Sequence, residues 1–343
     1  MENQSRTTLI VTLTIALFAG LAGGYVWYWN QLADGLQDSL KIWLGQRRAE
    51  GFVAESGPVT LSGFPLSVTA NIASLELGRS EKGDPGYWRW QAKNITATLK
   101  PRQPWLIHIQ TTAHQSSEFV DTKNQLRTLK IVARVAKGIV EIGSDGRLAA
   151  VSTRFEALGL TGTALPGPVL AAGLKASINF LRDTRIDIQG DSLRLPREID
   201  PLFGENMDVL RAKATITGPL PRNWSRTEIT AWRDEGGTID LTRGRIKWGD
   251  LDITANGTFA LDARMRLQGS GTASMQGHNE SIKVLTERSM ITPLNAAALT
   301  IGLNLLGQQD KDTVKLPFSA QNGQLKVGAV SAAILKPLQF PGE

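Results

Sequence analysis

The histidines are where chemistry would first be sought in this 343-residue chain, and there are three: His108, His114 and His278. His108 and His114 stand six residues apart in a stretch that reads as strand, with no carboxylate beside them to orient either ring. A helical zinc pair needs its histidines on one face, three or four residues apart. Two unrelated surface residues explain the spacing more simply. There are no cysteines, which rules out thiol catalysis, Cys-ligated zinc, disulfides and the acylated cysteine of a lipoprotein. Gly269-Ser270-Gly271 lacks the frame of a G-x-S-x-G nucleophile elbow. Asp183, Asp187, Asp191 and Asp200 are spaced irregularly and read as solvated turn residues, not as a calcium loop. Neither a Walker A sequence nor G-x-G-x-x-G occurs, so nucleotide binding has no support. No catalytic residue, metal site or cofactor is expected, and the chain does not read as an enzyme.

The chain does carry apolar surface in strand register. Ile239, Leu241, Ile246 and Trp248 recur in one segment, and Leu251 and Ile253 follow in the next. Strand residues two apart share a face, so these six are expected to form one apolar strip. Such a strip must be covered by the chain's own helices, a second sheet, another protein or a lipid. An acyl chain gains about 0.8 kcal/mol for each methylene withdrawn from water. A lining of Ile, Leu and Trp supplies that gain without any polar motif. The six residues are therefore the candidate lining of a groove for phospholipid acyl chains.

The elements that would position this strip begin with an apolar N-terminus. No charged residue lies between Arg6 and Asp34. Leu9–Trp29 would be about 30 Å long as a helix, the thickness of a hydrocarbon core. Its far end holds Tyr25, Trp27, Tyr28 and Trp29, the ring types that favour the membrane–water interface. The bilayer is thus the first expected partner. A cleaved signal peptide ending near Gly20-Leu21-Ala22 is the rival reading. Against it, the first residues are barely basic and the apolar run continues to Trp29. The slight positive bias of the tail, from Arg6 and the terminal amine, places the N-terminus inside.

The expected organisation is a tail at 1–6, a transmembrane anchor at 7–29, an amphipathic helix at 30–50 and a β-rich domain at 51–343, with a subdivision near 195–210. Leu32, Leu36, Leu40, Trp43 and Leu44 repeat at helical spacing up to Gly51, as a face docked on the chain's own domain. Period-two alternation follows, interrupted at Gly63-Phe64-Pro65. Further strands are expected at Ile95–Leu99, Trp105–Thr111, Leu129–Ala133, Gly138–Ile142, Ala149–Phe155, Ala176–Leu181 and Arg185–Ile188. Gly237–Gln276 reads as an antiparallel meander with turns at Gly244, Gly249-Asp250, Asn256-Gly257 and Gly269. Thr292-Pro293 opens an apolar helix that Gly307 should stop, and that helix should lie on the sheet. Asn322-Gly323 signals a last hairpin. The fold class is mostly β (α+β): an N-terminal transmembrane helix, then a long, largely antiparallel curved sheet with a few packing helices. The net charge of +6 could suit anionic lipid or nucleic acid. No basic run exceeds Arg47-Arg48 and no nucleic-acid module is present, so nucleic acid is not expected.

Residues 51–65 (GFVAESGPVTLSGFP), 214–221 (ATITGPLP) and 232–262 (WRDEGGTIDLTRGRIKWGDLDITANGTFALD) resemble DUF2125. This is a family of uncharacterised bacterial membrane-anchored proteins, seen mainly in alphaproteobacteria. The resemblance covers nearly all of the chain after the anchor, most loosely at 100–180. It implies an inner-membrane anchor with a periplasmic β domain. The strand–turn grammar is similar to that of AsmA-like envelope proteins, whose sheets can shelter acyl chains, an analogy of fold that constrains function weakly. No family site residues carry over. The implied function is lipid binding or transfer in the envelope. The alternative is a structural or assembly scaffold that binds another envelope protein. The two part on whether the strip at 239–253 is an open groove or is filled by the helix at 293–306.

Overall fold

The computed structural model describes residues 2–340 except 80, 83, 85, 112–113, 122, 181–182, 219–224, 307–312 and 329; the side chains of 2–11, 298, 304–306 and 330–333 also lie outside the description. Pro219 to Pro221 and the expected helix stop Gly307 therefore fall outside the described residues.

The chain begins with one unbroken helix, α1 (Glu2–Ala49). The stretches expected as anchor and as amphipathic helix are its two halves. Among the described residues no helix is long and apolar enough to cross a membrane. The run Leu9–Trp29 starts with three residues, Leu9 to Val11, whose side chains are outside the description.

Among the described residues the strands after α1 all belong to one antiparallel sheet. β1 (Phe52–Ser56) and β2 (Val59–Ser62) lie in line along β3 (Val68–Arg79). β4 (Trp88–Lys100) follows β3. β5 (Gln103–Thr111) and β6 (His114–Val120) then run along the two halves of β4. β7 (Leu126–Val132) pairs with β6 and β8 (Val135–Ile142) with β5, and both pair onward with β9 (Leu148–Thr161). From there each strand pairs with the next in sequence: β10 (Val169–Asn179), β11 (Thr184–Arg194), β12 (Asn206–Thr217), β13 (Thr238–Trp248), β14 (Leu251–Leu261), β15 (Leu267–Gln276), β16 (Val314–Gln321), β17 (Gln324–Val327) and β18 (Val330–Ile334). This is an up-and-down meander in which sequence neighbours are ladder neighbours, the arrangement that costs the least chain entropy on closing strand pairs. The expected subdivision near 195–210 falls in the β11–β12 connection, where the ladder is continuous.

Among the described residues three short α-helices interrupt the meander: α2 (Arg226–Asp234), α3 (His278–Glu287) and α4 (Pro293–Leu306). α4 starts where the sequence placed it, with Asn295 N–H donating to Thr292 Oγ1 at 3.3 Å. α2 was not expected. Its signal was nevertheless present: Ser225 accepts from Glu228 N–H, the spacing of a capping box.

Three expected turns are not turns. Asn256-Gly257 lies inside β14 and Gly269 inside β15. Gly257 and Gly271 are cross-strand partners, and the Phe318 ring lies against both. The glycines there make room for an aromatic side chain rather than for a chain reversal. Gly244 is likewise interior, beside a bulge in β13. Asn322-Gly323 is a tight turn, with φ of 54° and 78°.

Candidate functional site

Directly opposed residues of an antiparallel ladder share a face, so the register sorts the sheet into two surfaces. One row reads Ile72, Ile95, Thr111, Ala136, Phe155, Leu174, Gly190, Leu210, Ile246, Ile253, Met275, Val314. Ala97 pairs with Ile109, and Thr111, two residues on, lies on the same face at the level of Ile95. The neighbouring row on the same face includes Ala97, Ile109, Gly138, Thr153, Ala176, Ile188, Ala212, Gly244, Ala255, Ala273 and Leu316. This face is apolar from β4 to β16.

The helices stand on that same face and cover its margins. At the β3–β4 side, Ala33 of α1 packs with Val68 and Leu99, and Leu40 packs against Ile72 and Ile95. The apolar stripe of α1 thus docks on its own sheet. At the other side, Ile282 of α3 and Ala296 and Leu303 of α4 enclose Val314 and Leu316. α2 closes one end, where Ile229 and Trp232 pack with Ile216, Leu261, Met265 and Phe340. Between these walls the floor is half-buried: Ile107, Val140, Val151, Ile178, Ile188 and Leu210 all have intermediate exposure. Seven ladder steps, from β5 to β14, make it about 34 Å wide.

The six strip residues belong to this floor. Leu241 and Ile246 are an odd number of positions apart, which in a regular strand would set them on opposite faces. A bulge absorbs the extra residue: Ala214 pairs with Leu241 and Lys213 with Arg243, leaving Thr242 unpaired in the ladder. Thr242 Oγ1 donates to Lys213 O at 3.0 Å. Ile239, Leu241, Ile246 and Trp248 therefore share a face with Leu251 and Ile253. Their surroundings differ. Ile239 packs against the α2 cluster, and Leu251 is buried. Trp248 meets Phe203 edge-on at 5.4 Å and donates to Gly204 O at 2.6 Å. Ile246 is 38% exposed. α4 stands over β16, not over this strip.

The floor reaches well beyond the strip, through β5 and β8–β12, and sequence reading missed that part. Two left-handed residues and a bulge explain why. Ala157 (φ 49°) and Ser192 (φ 47°) occupy corresponding positions in β9 and β11 and break the alternation there without shifting the register, and the β12–β13 register shifts between Met207 and Val209. Phe155 and Leu158 consequently pack in one cluster with Ala171, Leu174 and Leu193, at a spacing of three instead of two. The usable signal was the apolar-x-x-apolar spacing of Phe155–Leu158 and Met207–Leu210.

The opposite face is polar. Gln110, Lys137, Arg154, Lys175, Gln189, Arg211 and Arg245 follow one another across seven strands. A trench of about 570 Å³ there is lined by His108, Lys137, Arg154, Lys175 and Asp187 among others. Arg154 pairs with Glu156, Lys213 with Asp187, and Arg245 with Asp252 at 2.7 Å. The hydrogen bond from Arg245 holds the Asp252 carboxyl below the usual carboxylate range, against the effect of partial burial. His108 and His114 are exposed on β5 and β6, while His278 is buried at the start of α3. Among the described residues no group of three or more His, Asp or Glu could hold a metal ion.

The four interfacial aromatics are divided between two roles. Tyr25 Oη donates to Pro65 O, Tyr28 Oη to Pro101 O at 2.9 Å, and Trp29 Nε1 to Ser67 O at 2.8 Å. Trp27 is 65% exposed. Three of the rings thus fix α1 to the turns of the β domain. From Thr12 to Gly24 the helix is bare, with Leu13, Ile15, Leu17, Phe18 and Leu21 all more than half exposed.

No curated protein matches the sequence. A family model described as "Uncharacterized protein conserved in bacteria (DUF2125)" matches residues 29–335, from the end of the bare helix to the last strand, and the chain belongs to that family.

Proposed function

We propose that this is a non-enzymatic, single-pass protein of the bacterial inner membrane, whose periplasmic β domain shelters phospholipid acyl chains on its apolar floor. The observation that carries this reading is the floor itself: an apolar sheet face, walled by α1, α3 and α4, with Ile246 38% exposed in its midst. A half-bilayer of hydrocarbon is about 15 Å thick, so a floor about 34 Å wide can accept a whole acyl chain. Withdrawing eight methylenes from water would contribute about 6 kcal/mol, before the cost of association. The bare apolar helix supports the anchor. The lipid's charged head cannot be held by the cationic trench while its tail lies on the floor, because the sheet separates them. The head must lie at an end of the floor or in solvent.

Mass spectrometry of lipid extracted from the detergent-purified full chain tests the proposal. Stoichiometric phospholipid that survives extensive washing is expected. Lipid-free protein that also takes up none from vesicles would leave the scaffold reading, with another envelope protein covering the floor.

A further inference from the structure

The turn between β2 and β3 places two large apolar side chains in solvent beside the helix. Phe64 is 53% exposed and Leu66 83%. Their position along α1 is fixed. Phe64 packs edge-on against Trp29 at 5.5 Å and lies 6.4 Å from Tyr25, and both rings donate to carbonyls of the same turn. A second turn, between β4 and β5, is held at the same level by Tyr28. It presents Lys100 and Arg102, both exposed.

We infer that the Phe64-Pro65-Leu66 turn is a second membrane contact, seated in the headgroup layer of the bilayer that α1 enters, with Lys100 and Arg102 against anionic phospholipid heads. The inference rests on the anchor reading and adds a depth and an orientation to it. From Leu9 to Tyr25 the helix rises about 24 Å, short of a hydrocarbon core about 30 Å thick. A turn bonded to Tyr25 therefore lies at or within the boundary of that core. There, exposed Phe and Leu are favoured and cations meet phosphate. In water the same two side chains gain nothing from their exposure, and Leu66 touches too little of the domain to serve its packing. Anchored at both places, the domain cannot swing freely about Trp29.

The lack of native cysteine allows a clean test in the full chain. An environment-sensitive fluorophore is attached at Leu66→Cys, Leu17→Cys or Lys123→Cys. Lys123 lies in the β6–β7 turn, at the far end of the strand line from Leu66. Each protein is reconstituted in phosphatidylcholine–phosphatidylglycerol vesicles carrying a nitroxide on the headgroup or deep in the acyl chain. Quenching at 66 by the headgroup nitroxide, deep quenching at 17 and none at 123 are expected. Quenching at 17 with position 66 behaving like 123 would keep the anchor and overturn the turn contact. Absence of quenching at 17 would overturn the anchor, and this inference with it.

Discussion

The ring of Phe318 rests on Gly271, the residue directly across the ladder from it. A Cβ at Gly271 would stand 2.5 Å from Phe318 Cζ and closer still to the Asn256 carbonyl oxygen. The ring also stacks on Phe259, with centroids 5.9 Å apart and planes 17° from parallel. Gly271→Ala should therefore cost about 1–3 kcal/mol, the usual range for overpacking. Urea denaturation measures it. A second change, Phe318→Leu, should restore part of the loss. An unchanged midpoint in the single variant would show that the strands separate enough to admit a methyl group.

The last hairpin tests a different backbone requirement. Asn322 and Gly323 both have positive φ, as a type I′ turn demands. Gly323→Val forces a β-branched residue into that conformation and should lose about 1–3 kcal/mol. Thermal unfolding followed by circular dichroism would register it, and an unmoved transition would contradict the tight turn.

Much of this architecture is legible in residue order. The Thr292-Pro293 start of α4 and the Asn322-Gly323 hairpin are local signals, and each lies where its chemistry placed it. What escapes is set by contacts between distant segments. Asn256-Gly257 has the composition of a turn, yet Phe318, sixty residues on, needs that space. The left-handed residues Ala157 and Ser192 break the period of two in the middle of the floor, so its strands read as fragments. Which part of the apolar face is covered depends on where α1 and α4 dock, and periodicity carries no information about that.

Acid should weaken the β14–β15 hairpin through Asp262. Partial burial raises this carboxyl's pKa, but bonds from the Arg266 guanidinium and from the N–H groups of Arg266 and Arg264 outweigh it. The net result lies below the usual carboxylate range. A depressed folded pKa contributes stability that is present above the unfolded value, about 3.9, and is lost as pH falls through the folded one. Asp262→Asn removes that term. The gap in melting temperature between native protein and variant should be constant from about pH 5 to 7 and narrow below about pH 4. A gap independent of pH down to the acid transition would show that the carboxylate charge contributes nothing there.

One row of the floor contains the comparison that decides how its surface is used. Ile246, Ile253, Met275 and Val314 are successive cross-strand partners. Ile246 is 38% exposed, and Val314, under α3 and α4, is 0% exposed. Ile246→Glu puts a carboxylate where water reaches it, so the domain should fold with a loss under about 1 kcal/mol, as for a surface change. Val314→Glu buries an unpaired charge and should unfold the domain or raise the carboxyl pKa by several units. If acyl chains occupy the floor, Ile246→Glu should also abolish lipid co-purification, since the chain would have to desolvate the new charge. Melting curves and lipid extraction from one preparation of each variant give both readings. A folded Ile246→Glu protein that keeps its lipid would move the ligand off this row. An Ile246→Glu protein that fails to fold would mean the floor is closed in solution and would overturn the lipid reading.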